Sequence, residues 1–451
     1  MIELNITTAL ATPMEEGGVM RILVTGAAGF IGRHIVAALR AAGHRVVCAG
    51  RDVERTRRMF PDQESITCDF NRDVTTEVWL PRLVGIDAVV NCVGILQSRR
   101  GQSMAAIHSA APKALFAACV RAGIRRVIQI SALGVRPEVA TAYSQSKLDA
   151  DRHLQSLDLD WVILRPSLAY TSAGSFGGTS LFRALAALPG MVPLVGDGRQ
   201  PFQPIHMGDL TEAVRRLVEG SEVARRILDV VGPEPMALRD ILADLRRWLG
   251  FAAPRFFETP LPVVRVAARI ADRLGGVGPI TTTSLTMLLQ GNTADPAPFM
   301  AATGIAPRRF ADALANEPAH VQDRWHARLY FLRPLLRVTL GLFWLSTGLA
   351  TLALWPHADS LRMLGDSGIP DPLLPVVFHV GWAFDVVLGL AVLMRCRVAL
   401  VGSIMIAATT VYLVFLSIGQ PWQWIHPITP LTICIALMVA TLVMMATDDD
   451  R

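Results

Sequence analysis

The feature that most constrains this fold is a set of four long apolar segments in the last quarter of the chain. They are residues 338–355, 373–394, 398–419 and 428–446, and the only charged side chain within them is Asp385. A helix needs about 20 apolar residues to cross a bilayer, so each segment is long enough to do so. We therefore predict four membrane-spanning helices. The alternative, a buried soluble helix bundle, explains such long uncharged runs less well.

The arginines around these segments predict their orientation. Arginines precede the first segment and lie between the second and the third, whereas residues 420–427, between the third and the fourth, contain no arginine or lysine. Because basic loops favour the cytoplasmic side, both termini and the whole chain before the first segment are expected in the cytoplasm, at a bacterial inner (plasma) membrane. Trp422 and Trp424 would then anchor at the outer interface. The arginines concerned are Arg324, Arg328, Arg333, Arg337, Arg395 and Arg397.

Asp385 lies near the middle of its segment, where a carboxylate is costly in lipid. We expect it to face the interior of the helix bundle, where it either marks a proton or substrate path or only locks helix packing. Four glycines in the first two segments are better explained as close-packing sites than as functional residues. They are Gly341, Gly348, Gly381 and Gly389.

Up to about residue 325 the chain has short apolar runs separated by Gly, Pro and charged residues, as in a globular α/β protein. The net charge of +5 is not gathered into a basic stripe, which argues against nucleic-acid binding. Six scattered cysteines without Cys-x-x-Cys are predicted to be small buried hydrophobic residues, not zinc ligands or disulfides. Residues 1–19 lack the features of a signal peptide and are expected to be a disordered lead or a start-site artefact.

Residues 21–33, RILVTGAAGFIGR, predict a strand, a glycine-rich turn and the start of a helix. A tight strand-to-helix turn needs positive φ. A backbone without Cβ atoms also lets a pyrophosphate approach the free N–H groups of the helix. The turn therefore predicts a dinucleotide site, whose expected contact residues here are Gly26, Gly29, Phe30, Ile31 and Gly32.

A second predicted strand, residues 44–50, ends next to Arg51. An NAD-type site would place an acidic residue there, on the ribose 2′-hydroxyl. Arg33 follows the third glycine of the turn, so two guanidinium groups are available for a 2′-phosphate. We therefore predict NADP(H) as the preferred cofactor, with NAD(H) as the alternative because Asp52 is adjacent.

Further predicted strands, separated by helical stretches, lie at residues 66–70, 87–95, 125–131 and 161–166. Strands that alternate with helices predict a doubly wound parallel sheet, which binds ligands at the carboxyl ends of its strands. Four residues at these ends are expected to contact the cofactor: Asp69 and Phe70 beside an adenine, and Val93 and Gly94 along the backbone.

Tyr143 and Lys147 are four residues apart in a helix-forming stretch, which places both on one helix face. Lys147 is one of only two lysines among 43 basic residues. A neighbouring ammonium group is expected to lower the tyrosine pKa from about 10, and it can also reach a nicotinamide ribose. Ser131 is predicted to hold a substrate oxygen while Tyr143 gives or takes its proton. The alternative is an exposed tyrosine beside a solvated lysine.

These motifs resemble those of the short-chain dehydrogenase/reductase superfamily, in its extended or atypical branch. The resemblance spans residues 20–316 and includes TGAAGFIG, NCVG, ISALG, Tyr143-x-x-x-Lys147, LRPS, GDGRQPFQPIHMGDL and VVGPEPMALRDI. The pattern is most similar to the subgroup of the NADPH-binding accessory subunit of respiratory complex I. It implies a Rossmann-type core, a small substrate lobe, bound NADP(H) and a catalytic triad of Ser131, Tyr143 and Lys147.

The resemblance extends to two further regions and lacks one residue. An asparagine that many relatives carry before the serine strand has no counterpart in residues 101–120. Gln203, Pro204, His206 and Asp209 resemble a segment that braces the substrate lobe, and His206 is interpreted as a packed histidine. The apolar tail is similar to the DoxX-like membrane family in its hydropathy and arrangement.

We accordingly expect residues 20–316 to form the NAD(P)-binding domain, residues 317–333 a linker, and residues 334–447 a four-helix DoxX-like membrane domain. The predicted function is a membrane-tethered NADP(H)-dependent oxidoreductase with a lipid-phase carbonyl, alcohol or quinone substrate. Two alternatives are a non-catalytic NADPH-binding module that serves a membrane protein partner, and an enzyme like the nucleotide-sugar epimerases and dehydratases. Fold alone does not separate these functions.

Overall fold

The structure is a computed structural model that describes residues 18–96, 101–273, 281–354, 356–425 and 430–448. The chain divides into two compact units, and the division falls between Arg324 and Trp325. Residues 1–17 of the predicted lead lie outside the described residues.

Strands are confined to the first unit. They are β1 (Arg21–Thr25), β2 (Arg45–Gly50), β3 (Glu64–Thr67), β4 (Ala88–Asn91), β5 (Arg126–Ile130), β6 (Asp160–Pro166), β7 (Ala169–Tyr170), β8 (Met191–Val195), β9 (Pro201–Phe202), β10 (Ile205–His206), β11 (Arg226–Val230), β12 (Met236–Ala237) and β13 (Arg255–Thr259). This statement covers the described residues.

Helices occur in both units. They are α1 (Phe30–Ala41), α2 (Val53–Met59), α3 (Thr76–Trp79), α4 (Ala111–Ala122), α5 (Ala142–Gln155), α6 (Gly178–Ala186), α7 (Met207–Glu219), α8 (Leu238–Trp248), α9 (Leu261–Arg273), α10 (Thr282–Gln290), α11 (Ala297–Thr303), α12 (Phe310–Asn316), α13 (Val321–Ala353), α14 (His357–Asp366), α15 (Leu374–Leu393), α16 (Val398–Gly419) and α17 (Pro430–Thr447). A π-helical turn, Ala106–Ala110, precedes α4.

Seven parallel strands form one sheet in the order β11-β6-β5-β4-β1-β2-β3. The chain builds outward from β1 through β2 to β3 and then returns to place β4 on the other side of β1. The strand order therefore reverses between β1 and β4, which is where such sheets bind ligands. The predicted doubly wound parallel sheet is confirmed, and β11 is a seventh strand that the sequence patterns did not predict.

Alternation along β1 divides the core between the two faces of the sheet. Ile22 and Val24 point to one face, where they pack with α1 and α7, and Leu23 points to the other, where it packs with α4 and α5. All three side chains are fully buried. A strand covered on both faces must be apolar throughout, which explains the continuous apolar run of this strand.

A smaller lobe is built on the parallel pair of β8 and β13. Helices α9 and α10 pack on it through Val195, Val264, Ala268 and Leu285, which form one buried cluster. This lobe corresponds to the small substrate lobe that the sequence predicts.

In the second unit, three helices are long and apolar enough to cross a membrane: Val321–Ala353, Asp371–Leu393 and Val398–Gly419. Three of the predicted spans are thereby confirmed in length and composition. The fourth segment forms the apolar helix α17, which is shorter than these three helices. Residues 428 and 429 of the fourth predicted span lie outside the described residues. Helix α13 begins at Val321, so most of the predicted linker is helical.

Close contact between α13 and α15 depends on glycine. A Cβ atom on Gly348 would lie 2.5 Å from the carbonyl oxygen of Trp382, and one on Gly389 would lie 2.5 Å from the backbone nitrogen of Leu345. Gly341 is similarly crowded, with 2.7 Å to the nearest side-chain atom. These three glycines let the helix backbones approach, as predicted.

Other single-residue predictions had different outcomes. A Cβ atom on Gly381 would have no neighbouring atom within 4 Å, so the prediction that Gly381 is a close-packing site is wrong. Cys396 is exposed because it lies in the short connection between α15 and α16, although Cys48 is buried as predicted. Asp385 is buried, and one of its carboxylate oxygens has no hydrogen-bond partner among the described residues, as expected for a residue facing the bundle interior.

Arg126 braces the sheet against the end of α7. Its guanidinium donates to the carbonyl oxygens of Leu217 at 2.5 Å, Gly220 at 2.6 Å and Val223 at 2.7 Å. Leu217 lies in the last turn of α7, where carbonyls lack helical partners. The planar fork of the guanidinium suits several carbonyls at once, which an ammonium group does not match.

We predict that Arg126→Lys lowers the free energy of unfolding by about 2 kcal/mol, because one buried and two partly buried carbonyls lose guanidinium donors. Calorimetry of the full chain in detergent would show this as a lower melting temperature. The matched control is Arg125→Lys, since Arg125 is exposed and pairs with Asp160 at the surface. Equal melting temperatures for the two variants would contradict the bracing role.

Candidate active site

The glycine-rich turn after β1 is tight and open to an anion. Gly26 has a φ of +70°, and a Cβ atom on Gly32 would lie 2.1 Å from the carbonyl oxygen of Gly26. The N-terminus of α1 has no side-chain cap at Gly29 and no acidic residue in its first turn. Its N–H groups and helix dipole therefore suit a phosphate, as the sequence predicts.

The two predicted 2′-phosphate ligands lie on different elements. Arg33 donates to the carbonyl oxygens of Gly29 at 3.3 Å and Ala28 at 3.2 Å, so it lies along the glycine-rich turn. Arg51 is exposed and immediately follows β2. The adjacent carboxylate of Asp52 caps α2 by accepting from the backbone N–H of Arg55 at 2.9 Å.

A buried chain of polar side chains joins three neighbouring strand ends. The hydroxyl of Thr25 donates to Asn91 at 2.6 Å, and the amide of Asn91 donates to Gln129 at 2.7 Å. The backbone N–H of Val93 donates to the same Asn91 oxygen at 3.3 Å, which orients the segment leading to Gly94. These bonds fix the loop after β4 beside the glycine-rich turn.

Tyr143 and Lys147 lie on α5, and Lys147 reaches the loop after β4. The ammonium nitrogen donates to the carbonyl oxygen of Ile130 at 3.1 Å, and a Cβ on Gly94 would lie 3.4 Å from that nitrogen. Lys147 is only 4% exposed, so the alternative of a solvated lysine is wrong.

The protonation of this pair differs from the expectation. Burial, with a smaller contribution from the charge of Asp151, raises the pKa of Tyr143 to about 12. Burial lowers the pKa of Lys147, and the charge of Asp151 opposes this. The expected lowering of the tyrosine pKa by Lys147 is therefore wrong. Desolvation sets the direction of the shift, and the phenol is protonated at neutral pH.

Ser131 follows β5, as predicted, but its hydroxyl is engaged by an unpredicted residue. It donates to a carboxylate oxygen of Asp151 at 2.7 Å, and Arg165 lies 3.5 Å from that oxygen. Asp151 is fully buried, and its other oxygen has no partner among the described residues. Burial raises the pKa of Asp151, against the hydrogen bond from Ser131. The sequence indicates the position of Asp151 only through its spacing: it follows Lys147 by four residues and so lies on the same face of the helix.

His108 is a second residue that sequence reasoning missed. It lies in the π-helical turn before α4, and its ring packs edge-on against Tyr143 with centroids 5.4 Å apart. Nε2 accepts from the backbone N–H of Ile95 at 2.9 Å, and Nδ1 lies 3.0 Å from the hydroxyl of Ser146. Burial lowers the pKa of His108 to about 3, so the ring is neutral. In the sequence, the only indication was that His108 lies in residues 101–120, the segment in which many relatives carry an asparagine.

The two predicted adenine contacts, Asp69 and Phe70, differ in their exposure. Asp69 is partly exposed and accepts from the backbone N–H of Asn71 at 3.0 Å. Phe70 is 3% exposed and packs edge-on against Trp79, so its ring belongs to the core. A contact between Phe70 and a cofactor stays a prediction. Because the ring is buried, the backbone of Phe70 would have to make this contact.

The start of α1 carries the remaining predicted contacts. Phe30 is partly exposed and stacks on Phe176 with centroids 6.1 Å apart. Ile31 is also partly exposed. Both residues therefore lie at the helix N-terminus next to the glycine-rich turn, and their role as cofactor ligands stays a prediction.

The segment around His206 braces the lobe. Nδ1 of His206 accepts from the backbone N–H of Gly208 at 3.1 Å and so caps α7, and its ring packs on Tyr170. Burial lowers the pKa of His206. Asp209 accepts from the backbone N–H of Arg308 at 2.9 Å. The structure agrees with the interpretation of His206 as a packed histidine.

Comparison with known families assigns both units. Residues 26–178 match a family model described as NAD(P)H-binding, and residues 341–442 match a model of the DoxX-like family. The chain thus carries an NAD(P)-binding domain followed by a DoxX-like domain.

Two curated relatives of the first unit differ in their described roles. Subunit 9 of the NADH dehydrogenase [ubiquinone] 1 alpha subcomplex of Arabidopsis thaliana is 26% identical over 260 residues, which cover 55% of this chain and 62% of the relative. Ceramide reductase of Caulobacter vibrioides is 26% identical over 261 residues, which cover 56% of this chain and 77% of the relative. The chain thus spans less than two thirds of the first relative.

A solved structure shares the fold of the first unit. MoeE5 in complex with UDP-glucuronic acid and NAD superposes with a TM-score of 0.51 at 21% identity. The match covers 65% of this chain and 96% of MoeE5. At this identity the likeness shows the fold alone, a doubly wound parallel sheet with a smaller lobe.

Proposed function

We propose that the chain is a membrane-tethered NADP(H)-dependent oxidoreductase that reduces a lipophilic carbonyl or quinone substrate. The observation that carries the proposal is the burial of Lys147 against Gly94 and the end of β5, on the helix face that also bears Tyr143. A lysine buried at the carboxyl end of a nucleotide-binding sheet has little structural purpose without a ligand.

In the proposed reaction, NAD(P)H supplies a hydride to the carbonyl carbon when it is bound. Tyr143 donates its hydroxyl proton to the carbonyl oxygen, and the substrate leaves as an alcohol. The protonated phenol is the form of Tyr143 that can donate this proton to the carbonyl oxygen. Lys147 holds the nicotinamide ribose and stabilises the phenolate that remains.

Two features support a lipid-phase substrate. Three helices are long and apolar enough to cross a membrane, so the first unit stays close to lipid. One relative, 26% identical, is described as a ceramide reductase. This relative is a precedent for a lipid substrate. As part of the proposal, the first unit lies on the cytoplasmic side of a bacterial inner membrane, which the arginines around the spans favour.

The preference for NADP(H) is part of the proposal. Arg51 is exposed at the end of β2, and the acidic side chain next to it is occupied as the cap of α2. Arg51, whose guanidinium lies beside the side-chain amide of Gln102, is thus an exposed cation near the expected ribose 2′-position, which favours a 2′-phosphate.

The second candidate function is a non-catalytic NADPH-binding module that serves a membrane protein partner. The hydrogen bond from Ser131 to Asp151 favours it, because this bond takes the only proton that Ser131 could offer a substrate oxygen. One relative of this chain is described as a subunit of NADH dehydrogenase. Hydride transfer separates the two candidates.

We predict that Tyr143→Phe abolishes hydride transfer but retains nucleotide binding. The full chain in detergent would receive 4R- or 4S-deuterated NADPH and a total membrane lipid extract, and mass spectrometry would follow deuterium into lipid. Tyr170→Phe is the matched control, since the buried Tyr170 hydroxyl has no partner among the described residues. Tight NADPH binding without label transfer by the unaltered chain would favour the non-catalytic module.

We predict that Arg51→Ala weakens NADPH binding about ten- to a hundredfold, the value of one charged hydrogen bond, and leaves NADH binding unchanged. Fluorescence titration of both nucleotides measures this. Arg58→Ala, which removes an exposed arginine from α2, controls for general charge effects. An equal loss for both nucleotides would contradict 2′-phosphate recognition.

A further inference from the structure

Helix α9 of the smaller lobe has two apolar stripes, and only one is covered. Val264, Ala268 and Ala271 are buried against the lobe. Val263, Val266 and Ile270 are 57%, 53% and 51% exposed. The exposed residues are spaced three and four apart, which places them on one face of the helix.

Arginines flank the exposed stripe. Arg265, Arg269 and Arg273 are four residues apart and therefore line the neighbouring face of the same helix. All three are exposed, and none has an ion pair among the residues that the structure describes. The single acidic residue of α9, Asp272, hydrogen-bonds with Thr282. The exposed surface of α9 is thus apolar and positively charged.

We propose that α9 docks on an anionic lipid surface, with the stripe of Val263, Val266 and Ile270 in the interface and the three arginines on lipid phosphates. An exposed apolar stripe beside arginines is the pattern of helices that lie in a membrane interface. Guanidinium groups bind phosphate in a bidentate way. A protein partner is less favoured, because protein interfaces are enriched in aromatic residues and Met, whereas the exposed stripe contains only Val and Ile.

The inference rests on the proposed function in one respect, namely that the chain is held in a membrane. A domain tethered to a bilayer meets lipid at high effective concentration, so a single amphipathic helix suffices for docking. Nothing in this argument requires that the site is catalytic.

Docking of α9 would bring lipid close to the candidate active site. Helix α10 packs on α9 through Leu285, and its Met287 lies 3.7 Å from the position of a Cβ on Gly134. Gly134 follows Ser131 by three residues in the loop after β5. A lipid surface at α9 is therefore one helix away from the residues that would act on a lipid substrate.

The test places an environment-sensitive fluorophore on α9 in the full chain, reconstituted into vesicles. Cys396 and Cys434, the more accessible cysteines of the second unit, are first replaced by Ala, and Val266→Cys is then labelled. The vesicles contain phosphatidylcholine with or without phosphatidylglycerol, and with or without brominated acyl chains. Val120→Cys, at a 44% exposed valine on α4, is the matched control.

We expect the label at residue 266 to shift to the blue and to be quenched by brominated lipid in phosphatidylglycerol vesicles, while the label at residue 120 does neither. Replacing Arg265, Arg269 and Arg273 by Ser should lower the ratio of docked to undocked helix about a hundredfold, from the attraction of each arginine to an anionic surface. The thermal unfolding of each variant confirms that it is folded.

Two results would overturn the proposal. One is an equal, water-like emission at both labelled positions in anionic vesicles. The other is a blue shift at residue 266 without bromine quenching, which would indicate a protein partner or a second copy of the chain. Hydride transfer measured on the same vesicles separates this failure from a failure of the proposed function, because either can occur without the other.

Discussion

The ammonium group of Lys147, 4% exposed, is held between the carbonyl oxygen of Ile130 and the loop at Gly94. Burial of a cation is costly, and one carbonyl together with the charge of Asp151 offsets only part of that cost. The contact fixes α5 against the ends of β4 and β5 and brings Tyr143, one turn earlier, to the same place. Because the space beside Gly94 is narrow, a compact ammonium fits where a planar guanidinium would not.

The carboxylate of Asp151 links the rest of the site to this cation. It lies one turn after Lys147, accepts a hydrogen bond from the hydroxyl of Ser131 and lies near Arg165. The same buried group therefore influences Tyr143, Lys147 and Ser131, and it favours a neutral phenol. The site consequently holds a protonated tyrosine beside a buried ammonium group. The orientation of Ser131 is the one feature that also suits a purely binding role.

Local patterns predicted most of the fold and the backbone of the site. The strand, turn and helix of residues 21–33 and the helix bearing Tyr143 and Lys147 follow from glycine spacing and helical periodicity, which act over a few residues. The pairing of Ser131 with Asp151 and the packing of His108 on Tyr143 depend on segments brought together by the sheet. Desolvation, which sets the tyrosine pKa, is likewise a property of the folded chain.

The most direct test of the role of Lys147 uses the two lysines of this chain. NADPH affinity would be measured by fluorescence titration for Lys147→Met and for Lys113→Met, since Lys113 is partly exposed and pairs with Asp149. If Lys147 holds the nicotinamide ribose, its replacement weakens binding about tenfold or more, and replacement of Lys113 does not. Unchanged affinity in Lys147→Met, with an unaltered melting temperature, would contradict the assignment of this site to the cofactor.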